Sequence, residues 1–110
     1  MNSGCGVVAC NAIGSVPFLL ENGENGMTYA SGDVDALYEN VKYLLDNPQI
    51  CDEMGRNAYE TVVAQWNAEN AAERLLVLFR AFLQGDKRPK LYKAGPCSRA
   101  DILKDNGDTR

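Results

Sequence analysis

The 110-residue chain contains no histidine. A mixed cysteine–histidine zinc site is therefore excluded. Residues 1 to 32 hold no lysine or arginine, so an anionic ligand would find no side-chain cation in that stretch. No apolar run approaches the ~20 residues that span a bilayer. The N-terminus has neither a basic n-region nor an apolar h-region, so nothing reads as a signal peptide. The four cysteines, Cys5, Cys10, Cys51 and Cys97, lack metal-ligand spacing. They read as reduced, mostly buried thiols of a cytoplasmic protein rather than a disulfide framework. No metal is expected.

What is present is the composition of a soluble globular chain. Hydrophobic residues make up 45% and charged residues 24%, which excludes a wholly disordered or collagen-like chain. Charge is unevenly placed. Residues 1 to 84 hold four basic side chains (Lys42, Arg56, Arg74, Arg80) against eleven acidic ones, a net of −7. Residues 85 to 110 hold seven basic against four acidic, a net of +3. An acidic body argues against nucleic-acid binding, which needs a clustered basic face. The basic stretch could meet anionic lipid or an acidic partner, but it reads first as a solvated terminus. This divides the chain into a body, 1–84, and a basic C-terminal tail, 85–110.

Gly6-Val7-Val8-Ala9-Cys10 is a short apolar run between glycines, suited to a parallel strand buried on both faces. Met1 to Cys5 reads as the end of a helix stopped by Gly4. Pro17 opens a helical turn, Asn22 to Gly26 is turn-rich, and Met27-Thr28-Tyr29 is a second short strand. Asp33 is an N-cap. Leu37, Val41, Leu44 and Leu45 then share a helix face, and burial of each would contribute ~1.5–3 kcal/mol before entropy. Asn47-Pro48 ends that helix and opens the next, in which Ile50, Met54, Ala58 and Val62 repeat every four residues. Gly55 inside it costs up to ~1 kcal/mol relative to alanine, and a close backbone contact would explain it. Asn67 caps a third helix running to about Gln84, with Gly85 just past its end and Leu75, Leu78, Phe79, Phe82 and Leu83 on a broad apolar face. Asp86 to Lys90 and Asp105 to Asp108 read as loop.

This order of elements resembles the C-terminal domain of the group 1 (family 4) glycosyltransferases of the two-domain GT-B type. The matching residues are Asn2-Ser3-Gly4-Cys5-Gly6-Val7-Val8-Ala9, Ile13-Gly14-Ser15-Val16-Pro17-Phe18-Leu19 and Asn22-Gly23-Glu24-Asn25-Gly26-Met27. They continue with Ser31-Gly32-Asp33-Val34-Asp35-Ala36-Leu37, Leu44-Leu45-Asp46-Asn47-Pro48, Met54-Gly55 and Trp66-Asn67-Ala68-Glu69. The likeness runs to about residue 83. Each piece is weak alone; the order and spacing together are specific. The resemblance implies an α/β fold, a partial Rossmann-like GT-B C-terminal domain with two short parallel strands and three or more helices. It implies a part in sugar transfer, with retention, from a nucleotide-sugar donor to a glycan or lipid-linked acceptor, as in polysaccharide biosynthesis. It implies an acceptor-binding N-terminal domain as partner. The family's donor-contacting glutamate pair and its diphosphate-binding cations would fall ahead of Met1, so no catalytic residue is assigned and the chain is expected to be inactive alone. No cofactor is expected beyond the donor substrate. The location is cytoplasmic, with peripheral membrane attachment open to the full-length enzyme.

Gly14 and Ser15 are the candidate donor contacts, since open α/β sheets bind ligands beyond the C-terminal ends of their strands. A plain turn glycine and its neighbour is the competing reading, and the residue types favour it. Gly4-x-Gly6 lacks the third glycine and following helix of a dinucleotide fingerprint. Glu21 and Glu24 read as solvated loop charges, not a carboxylate pair. Two other functions stay open. One is a non-catalytic helical interaction module, motivated by the apolar Phe79/Phe82/Leu83 face, which in GT-B enzymes commonly packs on the N-terminal domain. The other is a small nucleotide-binding protein acting by itself.

Overall fold

A computed structural model describes residues 1–100. The order of elements is β1 (Val8–Cys10), α1 (Val16–Leu19), β2 (Met27–Tyr29), α2 (Val34–Asp46), α3 (Pro48–Ala64) and α4 (Ala68–Leu83). The chain divides into two compact units, Met1–Gln65 and Trp66 onward. The expected division at 84/85 marks a change of charge; this one marks a change of packing.

In the first unit β1 and β2 pair in parallel, with Val8 opposite Met27, Ala9 opposite Thr28 and Cys10 opposite Tyr29. The Met27 amide donates to Val7 O at 2.8 Å and the Asn11 amide to Tyr29 O at 2.9 Å, so the ladder runs one residue past the strands at each end. α2 packs on both strands and on α3. The α/β architecture with two parallel strands is the one the sequence implies. Burial on both strand faces is not found: every residue of β1 and β2 is half-buried. Interior strands are sealed by neighbouring strands and by helices on both faces, and this sheet has two strands among the described residues.

The local signals act as their chemistry requires. Residues 1 to 4 form a hydrogen-bonded turn, with the Gly4 amide on Met1 O at 3.0 Å and Gly4 at φ +69°. A left-handed glycine ends the turn, where a side chain would be strained. Pro17 lies in the first turn of α1, where its missing N–H costs nothing. Asp33 Oδ1 accepts the Ala36 amide at 2.9 Å and caps α2. Pro48 opens α3 directly behind Asn47.

The core consists of Val16, Leu44, Met54 and Ala58. Of the α2 face expected inside, Leu44 is buried and Leu37 half-buried, but Val41 is exposed and Leu45 is 75% exposed. At ~100° per residue, Leu45 projects about 100° round the helix from Leu44. A narrow sheet covers only the stripe that faces it. Gly55 is buried, and a Cβ there would overlap the carbonyl oxygen of Gly4. The close approach that this glycine suggests is therefore one between α3 and the N-terminal turn. The cysteines are free and less buried than expected: Cys5 is exposed and the other three are half-buried.

In the second unit Asn67 Oδ1 accepts the Asn70 amide at 2.8 Å and caps α4. At the other end Gly85 (φ +90°) donates to Phe82 O at 3.0 Å, and Asp86 to Ala81 O at 3.1 Å. This paired closure is the Schellman motif. α4 buries no residue. The tail is not wholly solvated. Arg74 Nη1 donates to Ala94 O at 2.6 Å and Pro96 O at 3.0 Å, and its guanidinium stacks 4.3 Å from the Tyr92 ring centroid. Gly95 and Pro96 are buried as a result. Asp86 to Lys90 is loop, with Asp86 Oδ1 accepting the Arg88 amide at 2.9 Å. The loop reading of Asp105 to Asp108 lies outside the described residues.

Candidate functional site

Because β1 and β2 are parallel, their C-terminal ends share one edge of the sheet. Asn11 to Ser15 leaves that edge after β1, and Ala30 to Asp33 leaves it after β2. The first loop is tightly made. Ile13 N donates to Cys10 O at 3.2 Å, Val16 N to Ile13 O at 3.0 Å, and the Ala12 amide meets Cys10 Sγ at 3.4 Å. Two turns in succession reverse the chain and start α1.

Gly14 and Ser15 stand at the crest of this reversal, adjacent and exposed. Ser15 occupies the N-cap position of α1, yet its hydroxyl makes no cap hydrogen bond. Its carbonyl accepts the Phe18 amide at 3.1 Å and the Leu19 amide at 3.0 Å. Beyond its chain neighbours, no heavy atom lies within 4 Å of where a Gly14 Cβ would be, so that side of the loop is open. The two candidate residues are thus together, accessible and at the C-terminal edge of a parallel strand pair, the edge at which open α/β sheets in general bind ligands. The second loop adds Ser31, which is exposed, and Asp33, whose carboxylate is engaged as the cap of α2. The sequence reading passed over Asn11 and Ser31. The signal for them was the parallel pairing, which brings the residues after each strand to the same edge.

The edge offers neutral hydroxyl, amide and backbone groups and no cation from residues 1 to 32. It can hydrogen-bond a sugar or a ribose, but it cannot neutralise a diphosphate with a side chain of its own. Glu21 and Glu24 are exposed on the α1–β2 connection, as solvated loop charges are. Among the described residues there is no cluster of side chains able to hold a metal ion, and no helix long and apolar enough to cross a membrane.

Two clefts lie elsewhere on the first unit. One is lined by Asn2, Ser3 and Gly4 against Arg56, Tyr59 and Glu60 of α3. The other lies between the Gly23–Glu24 turn and Ile50, Glu53, Met54 and Asn57. Neither includes Gly14 or Ser15.

Asn25 lies in a turn, as Asn-Gly implies. It is also 8% exposed, a buried polar residue within the core region. The readable sign was on α3. Asn57 and Thr61 stand three and seven residues after Met54, on the helix face that also carries Ala58. Polar residues in an apolar stripe call for polar partners.

Comparison with known proteins fits this geometry. Residues 1–61, more than half of the chain, match the family described as Glycosyl transferases group 1. Among solved structures, sucrose-phosphate synthase from Thermosynechococcus elongatus superposes with a TM-score of 0.66 and 28% sequence identity. That match covers 74% of this chain and 20% of the synthase, so the chain corresponds to about a fifth of that protein's length. None of the curated proteins matches the sequence. The parallel strand pair and the helices around it thus share their fold with part of that synthase, and the family match over more than half of the sequence shows that the chain belongs to the group 1 glycosyl transferases.

Proposed function

We propose that this chain forms part of the donor side of a retaining glycosyltransferase, which moves a sugar from a nucleotide-sugar to a glycan or lipid-linked acceptor. The observation that supports this reading is the exposed Gly14–Ser15 crest at the C-terminal edge of the parallel strands. There the open backbone and the uncommitted Ser15 hydroxyl can meet the hydroxyls of the donor. The cations for the diphosphate and the catalytic carboxylates come from residues outside these 110, and the acceptor site from an N-terminal partner domain. No cofactor takes part beyond the donor itself. The setting is cytoplasmic polysaccharide synthesis, with the full-length enzyme able to sit at a membrane surface.

The absence of cations from residues 1 to 32 sets the expected affinity. Neutral hydrogen bonds to a solvated ligand are worth about 0.5–1.5 kcal/mol each. Two or three of them give binding no tighter than about millimolar, near −4 kcal/mol. Titration of the ¹⁵N-labelled chain with uridine, guanosine and adenosine diphosphate sugars tests this. Amide shifts should change at residues 11–15 and 30–33, with midpoints at or above millimolar. Changes confined to the Arg56 cleft, or none at saturating sugar nucleotide, would remove the donor reading.

A second reading, a non-catalytic helical interaction module, is favoured by one observation: Leu75, Phe79, Phe82 and Leu83 of α4 are all exposed. It predicts a self-associating or partner-bound chain that ignores every sugar nucleotide.

A further inference from the structure

The Gly14–Ser15 crest rides on α1, a single helical turn. A four-residue helix cannot hold its own orientation, because one turn of hydrogen bonds does not offset the backbone entropy of forming it. Something else must fix it. Val16 is buried and anchors the start of the turn. The end of the turn, at Leu19, is held by a polar cluster centred on Asn25.

The Asn25 amide is fully used. Its Oδ1 accepts the Glu21 amide at 2.7 Å. Its Nδ2 donates to Leu19 O at 3.0 Å and to Thr61 Oγ1 at 2.9 Å. Thr61 Oγ1 in turn donates to Asn57 O at 2.9 Å, and Asn57 Nδ2 donates to Glu24 O at 2.9 Å. Both donors of the Asn25 amide and its oxygen are thereby satisfied, and no polar side-chain atom buried among the described residues lacks a partner. Thr61 and Asn57 are four residues apart on one face of α3, so the helix grips the 21–25 turn at two points. The same Asn25 side chain ties that turn to the last carbonyl of α1.

We infer that Asn25 and Thr61 are positioning residues: they clamp α1 to α3 and thereby fix where Gly14 and Ser15 stand at the sheet edge. This inference rests on the reading of that edge as the donor side. Its test, however, is made on the ligand-free protein and does not require that reading to be correct. Neither residue touches the donor. Both act through α1, whose Leu19 amide is bonded to Ser15 O and whose Val16 amide is bonded to Ile13 O. A shift at Leu19 is carried to the crest within one turn.

The experiment compares amide hydrogen exchange and chemical shifts in the full 110-residue chain, in Thr61→Val and in Thr61→Ser. Valine keeps the shape of threonine and removes the hydroxyl; serine keeps the hydroxyl. In Thr61→Val the amides of Leu19, Leu20 and Glu21 should exchange about fivefold faster, since one net hydrogen bond is worth ~1 kcal/mol. The Gly14 and Ser15 signals should move, while Ala9, Thr28 and Leu37 stay where they are. Thr61→Ser should restore the wild-type pattern. Asn25→Ala should reproduce the Thr61→Val changes and enlarge them. If Thr61→Val changes only residues 21–26 and leaves Gly14 and Ser15 in place, the clamp does not reach the edge and the inference is wrong. Uniform acceleration of every amide would overturn it as well, because the cluster would then support the whole fold and not one segment.

Discussion

α3 and α4 differ by one residue in length, 17 against 16, and both carry a regular apolar face. α3 buries Met54, Gly55 and Ala58; α4 buries nothing. The difference does not lie in periodicity, capping or helix propensity, since α4 is if anything the better-capped of the two. It lies in what the rest of the unit supplies. α3 has the N-terminal turn against Gly55, the 21–25 turn against Asn57 and Thr61, and α2 alongside. Within its own unit α4 has the short 92–98 segment, held through Arg74. A helical repeat announces that a face exists. What covers it is decided by other parts of the fold, and the energy comes only with the cover.

Substitution makes this comparison quantitative. The largest effect is expected at Met54, which is 3% exposed. Met54→Ala removes a buried side chain and leaves a cavity, at about 3 kcal/mol. Urea titration should show a lower midpoint with an unchanged slope. An effect under about 1 kcal/mol would mean that α3 is no better covered than α4.

Next comes Gly55→Ala. Alanine is the better helix former by ~1 kcal/mol, yet its Cβ would meet the Gly4 carbonyl. Backbone cannot yield as a flexible side chain does, and overpacking costs about 1–3 kcal/mol. The clash should prevail, for a net loss of about 1–2 kcal/mol in thermal or denaturant melts. A stabilised Gly55→Ala would show that the N-terminal turn does not press on α3.

Much of this architecture was legible from residue chemistry. Asp33, Pro48, Asn67 and Gly85 fix helix ends through local hydrogen bonds and fixed dihedrals, which any neighbouring sequence would leave intact. Gly14 and Ser15 were likewise legible as a loop beyond a strand. The outward turn of Val41 and Leu45, the half-burial of both strands and the docking of Tyr92 to Ser98 were not. Each depends on which partner lies opposite, and residue spacing carries no record of it. Asn25 shows the same limit at the candidate site. Asn-Gly signals a turn from two residues, whereas the bond to Thr61 joins positions 36 apart.

The two caps give an intermediate effect that should be equal in both regions. Asp33→Ala and Asn67→Ala each remove a side-chain acceptor from a helix N-terminus, at about 1 kcal/mol. Hydrogen exchange should report the loss in the first turn of α2 and of α4 respectively. Capping is local, so burial should not matter. A cap worth twice as much in α2 as in α4 would mean that the two helices differ in more than their cover.

The smallest effect belongs to Leu83, at the end of the uncovered face and 87% exposed. A leucine already in water has no burial energy to lose, so Leu83→Gln should change stability by less than about 0.5 kcal/mol. The same substitution at Leu44, which is 7% exposed, would strand an amide in the core and cost several times more. Both positions belong to equally regular apolar stripes, which makes the pair the sharpest form of the comparison. If Leu83→Gln proved as costly as Leu44→Gln in the isolated chain, the α4 face would be covered in solution. Sedimentation of the two variants would then show whether a second copy supplies that cover, since removing the leucine should shift a self-associated chain toward monomer.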